Sequence, residues 1–353
     1  MFAWISLRRA RRICSAATAG IGCILMLLFS ESCKKGAAES LTLFLNVLLP
    51  SLFPFMAATG LTVKCGLCQQ LGKKLRKPTR RLFGWDGMLA PILVLSLLGG
   101  YPVGARAIAS LHQSGQIDTA QAKRAAYCCV CAGPGFLLGY VGSMYGGTAT
   151  GAILFAAQAV SVLILGIASR MFTGKHSCSD TESAAVPPLP FGDALVEAAQ
   201  DAARGMVCIG SLVVLFGAFG GILTDIVPQQ NVRRYLLSAL EVCSAVNLLG
   251  DRPITYCAFA TGFGGICVHF QIFAVLKSLR INKAVFFLVR ILQGFLTAIL
   301  SHIGLRLFAR ETEVFSTASV GQADFFGGSV LSGAALLTVT VCFLFSLRQQ
   351  HGR

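Results

Sequence analysis

Apolar runs close to bilayer length alternate with short basic loops along the whole chain. Ile13 to Ser30 is uncharged and follows a basic head of Arg8, Arg9, Arg11 and Arg12. It reads as a retained first helix, because Ser32-Cys33-Lys34 offers no small-residue cleavage site. Ser40 to Val63 is a second run, kinked by Pro50 and Pro54, each of which removes a helix hydrogen bond. Gly87 to Leu111 is a third. Ala125 to Ser169 is uncharged and long enough for two passes, with a turn near Gly146-Gly147 and a break at Cys131-Ala132-Gly133-Pro134-Gly135. Gly205–Thr224, Tyr235–Gly250, Pro253–Leu276, Ala284–Leu305 and Phe325–Leu347 complete about ten spans. The predicted fold is all-α and polytopic. Residues 1–35 form a basic head and first span, 40–171 a first half and 205–309 a second. Residues 172–204, with Pro187-Pro188-Leu189-Pro190, are a linker whose last part, from Phe191, has the spacing of an interfacial helix. Residues 325–353 carry the last span and tail.

One stretch organises the pattern. Gly99-Gly100-Tyr101-Pro102-Val103-Gly104-Ala105-Arg106 interrupts an apolar helix near its middle and puts a cation one turn past the break. Non-helical backbone at membrane depth is tolerated only where protein or a water-filled cavity covers it. The half-helix restarting at Pro102 aims its N-terminal N–H groups at the break, and proline suits that position. A helix N-terminus with a nearby guanidinium is a seat for an anion. The pattern recurs: Gly264-Gly265-Ile266-Cys267-Val268-His269-Phe270-Gln271 lies over Gly99 to Arg106 without a gap, placing Gln271 on Arg106 and His269 on Gly104. Pro50–Gly60 resembles Gly210–Gly220, and Ile117-Asp118 resembles Ile281-Asn282. Broken apolar helices at corresponding positions in two halves point to a transporter site between duplicated half-domains. Two unrelated Gly-rich helix contacts are the alternative, since small residues also pack helices tightly in lipid.

Composition agrees with a membrane protein. Of 353 residues 55% are hydrophobic and only 13% charged, with mean hydropathy +0.70, against about 25% charged in soluble domains. The net charge of +15 sits mostly in short loops and sets orientation, so nucleic acid is not an expected partner. Counting cations puts both ends in the cytoplasm, which makes the first broken helix run outward, the second inward, and the duplication an inverted repeat. Lys64 to Asp86 is a basic loop in which Leu71, Leu75 and Leu82-Phe83 predict a surface-lying amphipathic piece. The fourteen cysteines fall mostly in apolar runs and give no disulfide framework; Cys65-x-x-Cys68 lacks the second pair or histidine of a zinc site.

Arg106, Glu241, His269 and Arg290 interrupt apolar spans, where a charge costs at least about 2.5 kcal/mol at the helix centre. Arg106 is read as lining a substrate path. Arg290 lies two turns past Lys283 and is expected to snorkel to the interface. Glu241 is either a coupling group or the ion-pair partner of Arg290 or Arg106. The candidate substrate-binding set is Gly99, Gly100, Tyr101, Pro102, Gly104, Arg106, Gly133, Pro134, Gly264, Gly265, His269 and Gln271. Thr119 is a candidate helix cap. No hydrolytic triad, phosphate loop, zinc constellation or dinucleotide fingerprint appears; no catalytic residue, metal or cofactor is expected. The expected partners are a small anionic solute and the lipid bilayer, with homo-oligomerisation left open.

At these residues the chain resembles the YlbJ-type sporulation integral membrane proteins, the stage V sporulation protein VV family, which carry a nucleoside-recognition Gate domain. The residues are Leu48-Leu49-Pro50-Ser51-Leu52-Phe53-Pro54-Phe55, Gly100-Tyr101-Pro102-Val103-Gly104-Ala105, Cys129–Pro134, Leu240-Glu241-Val242 and Gly262–Gln271. Where the family has polar residues before Ser/Gly-Pro, this chain has Val130 and Cys131. The resemblance implies movement of a small organic anion, dipicolinate or a similar dicarboxylate, across a cell membrane during spore formation, the forespore membrane included. A non-transporting assembly or receptor subunit, docking through the Lys64–Arg81 loop, is the competing reading.

Overall fold

The computed structural model describes residues 2–172 and 187–308, with side chains for 13–171 and 187–308. Within these residues the secondary structure is helical, with no strand. Helix α1 (Phe2–Leu28) leads into α2 (Ser30–Leu43), which passes through a π-turn at Phe44–Leu48 into α3 (Leu49–Lys64). The prolines do not break this helix. Both lie inside one continuous helix from Ser30 to Lys64, with the π-turn at Phe44–Leu48 directly before Pro50 and Pro54 one turn further on. Next come α4 (Leu67–Phe83), the pair α5 (Leu89–Gly99) and α6 (Tyr101–Gln113), and α7 (Thr119–Cys128). The cap of α7 is Asp118, not Thr119: the carboxylate accepts from Gln121 N–H at 2.8 Å, and Thr119 is already helical. Residues 129–133 are unwound, as the Gly-Pro-Gly break predicts. A π-turn (Gly135–Val141) and α8 (Gly142–Met144) then reach the Gly146-Gly147 turn, and α9 (Thr148–Ala168) returns.

The second half opens with α10 (Phe191–Ile226), one unbroken 36-residue helix. The expected interfacial helix and the following span are thus a single rod. Helices α11 (Gln230–Leu240) and α12 (Val242–Leu248) replace the expected pass at Tyr235–Gly250. Its backbone is interrupted at Glu241, whose carboxylate caps α12, and neither piece is long enough to cross. Then come α13 (Ile254–Phe263), α14 (Gly265–Val275) and α15 (Lys283–Phe308), with Asn282 capping α15 through Ala284 N–H at 3.0 Å.

Five helices among the described residues are long and apolar enough to cross a bilayer: Ser30–Lys64, Thr148–Met171, Phe191–Ile226, Ile254–Val275 and Lys283–Phe308. Ile13–Leu28, Leu89–Gly99 and Gly135–Met144 are shorter apolar helices. The expected last pass, Phe325–Leu347, lies outside the described residues.

Two packing units position the site. Helix α10 runs antiparallel to α2–α3, with Gly217 and Gly221 opposite Gly36, Gly210 opposite Phe44, Gly205 opposite Met56 and Ala198 opposite Gly60. A Cβ on Gly217 would collide with Ser40, so the two backbones meet through small residues, as lipid-embedded helices do. Helices α9, α13 and α15 form the second unit. Gly294 lies on Phe259, and Ser161 and Thr297 hydroxyls meet at 3.2 Å. Phe286, Arg290, Gln293, Thr297 and Ser301 line the buried face of α15 at spacings of four, three, four and four, while Leu288, Phe295 and Ile299 point outward. Polar inside and apolar outside is the pattern of a helix whose outer solvent is lipid.

Candidate functional site

Helix α5 ends where Gly100 N–H bonds Ser96 carbonyl at 3.1 Å, and the chain turns through Gly100 at φ 85°, ψ −175°. That conformation is essentially glycine's alone. Tyr101 and Pro102 then start α6. The second break turns at Gly264, φ 90°, between α13 and α14. The two breaks meet: Tyr101 hydroxyl donates to Thr261 carbonyl at 2.6 Å in the last turn of α13, and its ring packs on Gly264. Two further interruptions join them. Gly133, in the unwound 129–133 segment, lies against Gly100 and Leu98 carbonyl, and Gly265 lies against Glu241 and Val242. Gly104 rests on Cys129 carbonyl and Ser96, Gly99 packs against Val103, and Pro134 starts the π-turn beside Gly133. Four places where regular helix fails therefore share one small region.

The space left there is narrow, about 30 Å³, and is bounded by Leu52, Tyr101, Gly133, Glu241, Val268 and Gln271 among others. Larger clefts lie to either side. The first, about 460 Å³, holds Lys64, Arg106, Ser110, Gln113, Asp201 and Arg204. The second, about 380 Å³, holds Ser32, Lys35, Glu39, Asp225, Glu241 and Asn247. Their order along the chain is regular. On α10 the first cleft is lined by residues 198–208, the narrow gap by 209 and 213, and the second cleft by 216–225. On α2–α3, running the other way, the same sequence is 56–64, 48–52 and 32–40. At 1.5 Å rise per residue the two clefts are centred roughly 27 Å apart along α10, close to the hydrocarbon thickness of a bilayer.

The charged groups distribute among these spaces. Arg106 faces the first cleft, standing over Gly205 and donating to Asp201 carbonyl at 3.4 Å, rather than facing the break. Lys64 joins it there, paired with Glu197 at 2.8 Å and Asp201 at 3.0 Å. Asp201 and Lys64 were not singled out in the sequence, because Asp201 falls in the linker and Lys64 in the basic loop. Glu241 borders both the gap and the second cleft. It pairs with neither Arg106 nor Arg290; its two oxygens accept Cys243 N–H at 3.0 Å and Ser244 N–H at 2.7 Å. In the second cleft Ser32 hydroxyl donates to Asp225.

Two residues lie away from the clefts. Arg290 does not snorkel: it is fully buried, donates to Val130 carbonyl in the unwound segment, and sits 5.9 Å from the Phe286 ring. Gln293 donates to the same carbonyl at 3.1 Å. The guanidinium turns inward because it shares its face of α15 with Gln293, Thr297 and Ser301 and its outward neighbours are all apolar. His269 is boxed by Phe263, Phe286 and Phe287 at 4.7 to 5.3 Å and lines neither cleft nor gap. Gln271, on the same helix, does line the gap, with its amide 3.5 Å from Cys267 sulfur. At Cys65-x-x-Cys68, outside the spans, burial pushes both thiols up, Cys68 to about 11, so neither is a thiolate at neutral pH.

No family model matches the chain, and no solved structure matches it. Among curated proteins it is similar to the sporulation integral membrane protein YlbJ of Bacillus subtilis (strain 168), with 23% identity over 312 residues covering 76% of each chain. That similarity and the lipid-facing helices agree: the chain is a multi-pass membrane protein, similar to YlbJ along three quarters of its length, with the Gly-Tyr-Pro-Val-Gly-Ala and Val-His-Phe-Gln motifs at the two breaks.

Proposed function

We propose that this protein carries a small organic anion, a dipicolinate-like dicarboxylate, across the membrane, and that it is not an enzyme. The observation that carries the reading is the order of cleft, narrow gap and cleft along α10 and, reversed, along α2–α3. A polar path that enters from both ends and closes at a cluster of broken helices is what alternating access requires. The solute enters past the cations of the first cleft, Lys64, Arg106 and Arg204, and is held where the N-termini of α6 and α14 meet, with Tyr101 and Gln271 as polar contacts. Glu241, its oxygens bonded to Cys243 and Ser244 N–H groups at the rim of the gap and bordering the second cleft, is the candidate coupling group.

We read the two halves as an inverted duplication. Antiparallel packing of α3 on α10, the helices that open each half, supports this. So do the equivalent caps Asp118 and Asn282, and the hydroxyls of Ser51 and Ser211, each bonded to the carbonyl four residues earlier, at 2.6 and 2.8 Å.

The test is uptake of labelled dicarboxylate into proteoliposomes. Arg106→Ala is expected to lower uptake at least about tenfold, the scale of one lost charge-assisted hydrogen bond, with insertion unchanged and with partial activity in Arg106→Lys. Equal uptake by Arg106→Ala and the parent protein would remove the reading.

A further inference from the structure

Helix α4 is not used by the transport path, and its surface divides into three stripes. At 100° per residue, Cys68, Gly72, Thr79 and Phe83 fall on one side and are buried; Phe83 stacks on Trp85 at 4.9 Å, and a Cβ on Gly72 would meet Met88 backbone. Leu67, Leu71, Leu75 and Leu82 form a second stripe beside it, 38 to 50% exposed. Lys73, Lys74, Arg76, Lys77, Arg80 and Arg81 occupy the remaining arc, and Leu67–Phe83 contains no acidic residue. An exposed leucine stripe next to a cationic arc, with the third side anchored to protein, fits the boundary between acyl chains and headgroups. The chain fixes the height. Lys64, one turn before α4, ends the long apolar Ser30–Lys64 helix, and the apolar α5 begins only six residues after Phe83. Arg124, donating to Gly84 carbonyl at 3.0 Å, and Arg170, donating to Arg81 carbonyl, extend the basic surface past its C-terminus.

We propose that α4 binds anionic phospholipid: the lysine and arginine arc holds headgroup phosphates while the leucine stripe enters the acyl layer. Helix-end placement at the bilayer surface favours lipid over a soluble acidic partner, for which exposed leucines have no use.

The test uses the purified full chain in neutral detergent. Thermal unfolding is followed against phosphatidylglycerol, phosphatidylcholine and glycerol 1-phosphate, and bound lipids are counted by native mass spectrometry. Phosphatidylglycerol is expected to raise the midpoint saturably and to remain bound. Combined Lys73→Gln, Lys74→Gln and Lys77→Gln is expected to weaken its apparent affinity at least about tenfold, since each cation near an anionic surface contributes appreciably, and added salt to do the same. Lysine-to-arginine changes at these positions should retain the affinity, and Leu71→Gln with Leu75→Gln should lower it. Three outcomes would overturn the proposal: phosphatidylcholine as effective as phosphatidylglycerol, as expected if the face docks an acidic protein; the full shift from glycerol 1-phosphate alone; or unchanged affinity in the lysine-to-glutamine variant. The substituted lysines are exposed, and lipid counting reads binding independently of stability.

Discussion

Arg290 carries a full charge into the protein interior, and among the described residues no carboxylate pairs with it; Nε and Nη2 have no hydrogen-bond partner. Burying an ion costs several kcal/mol, whereas a hydrogen bond to a charged group contributes only about 1.5–3 kcal/mol. Gln293 would still hold Val130 carbonyl if the guanidinium were removed. Arg290→Met is therefore expected to leave the thermal midpoint unchanged or raise it. If the charge serves transport, the same preparation should lose about tenfold in uptake, an order of magnitude typical of one electrostatic contact. A lower midpoint would make Arg290 structural. The inward direction of Arg290 was legible from the spacing of Gln293, Thr297 and Ser301, but its distance from Lys283 pointed toward the interface. Glu241 was harder to read. Its capping role depends on a helix starting at Val242, and the apolar context of residues 235–250 hides that start.

At the scale of elements, both breaks could be read from sequence, because two adjacent glycines weaken an apolar helix at one point and leave its flanks intact. The sequence did not reveal that residues 129–133 and Glu241 join them. Those contacts span long chain separations, and only packing brings them together. The α2–α10 seam was equally hidden, since Gly36, Gly217 and Gly221 sit in runs where glycine is common. Its closeness gives a sharp expectation. Gly217→Ala should lower stability by roughly 1–3 kcal/mol through overpacking, measured by thermal unfolding in detergent. Gly20→Ala, with nothing within 4 Å of its would-be Cβ, should be neutral or slightly stabilising. Equal effects would mean that the seam is not tightly packed in solution. Helix α4 followed the sequence closely, because Leu71, Leu75 and Leu82 recur at helical spacing among cations.

At the scale of the whole molecule, membrane class was plain from composition, whereas the number of passes was not. Runs of bilayer length do not distinguish a rod from two half-helices meeting at a cap, as Tyr235–Gly250 shows. The two clefts bring a further expectation. In sealed vesicles of a cysteine-depleted protein, Ser110→Cys and Thr224→Cys should each react with an impermeant maleimide from one face only, and from opposite faces. Ser110 lines the first cleft and Thr224 the second. Labelling of both from the same face would show that the clefts do not form a path across.

The unbroken length of α10 has a mechanical corollary. Its 36 residues make a stiff bar about 54 Å long, with the narrow gap near its midpoint and one cleft beside each arm. Tilting such a bar by only about ten degrees around that fulcrum swings each tip roughly 5 Å, in opposite senses. On the transport reading proposed above, one mouth would widen as the other pinched shut, so a single seesaw would supply both halves of the cycle without unfolding any segment.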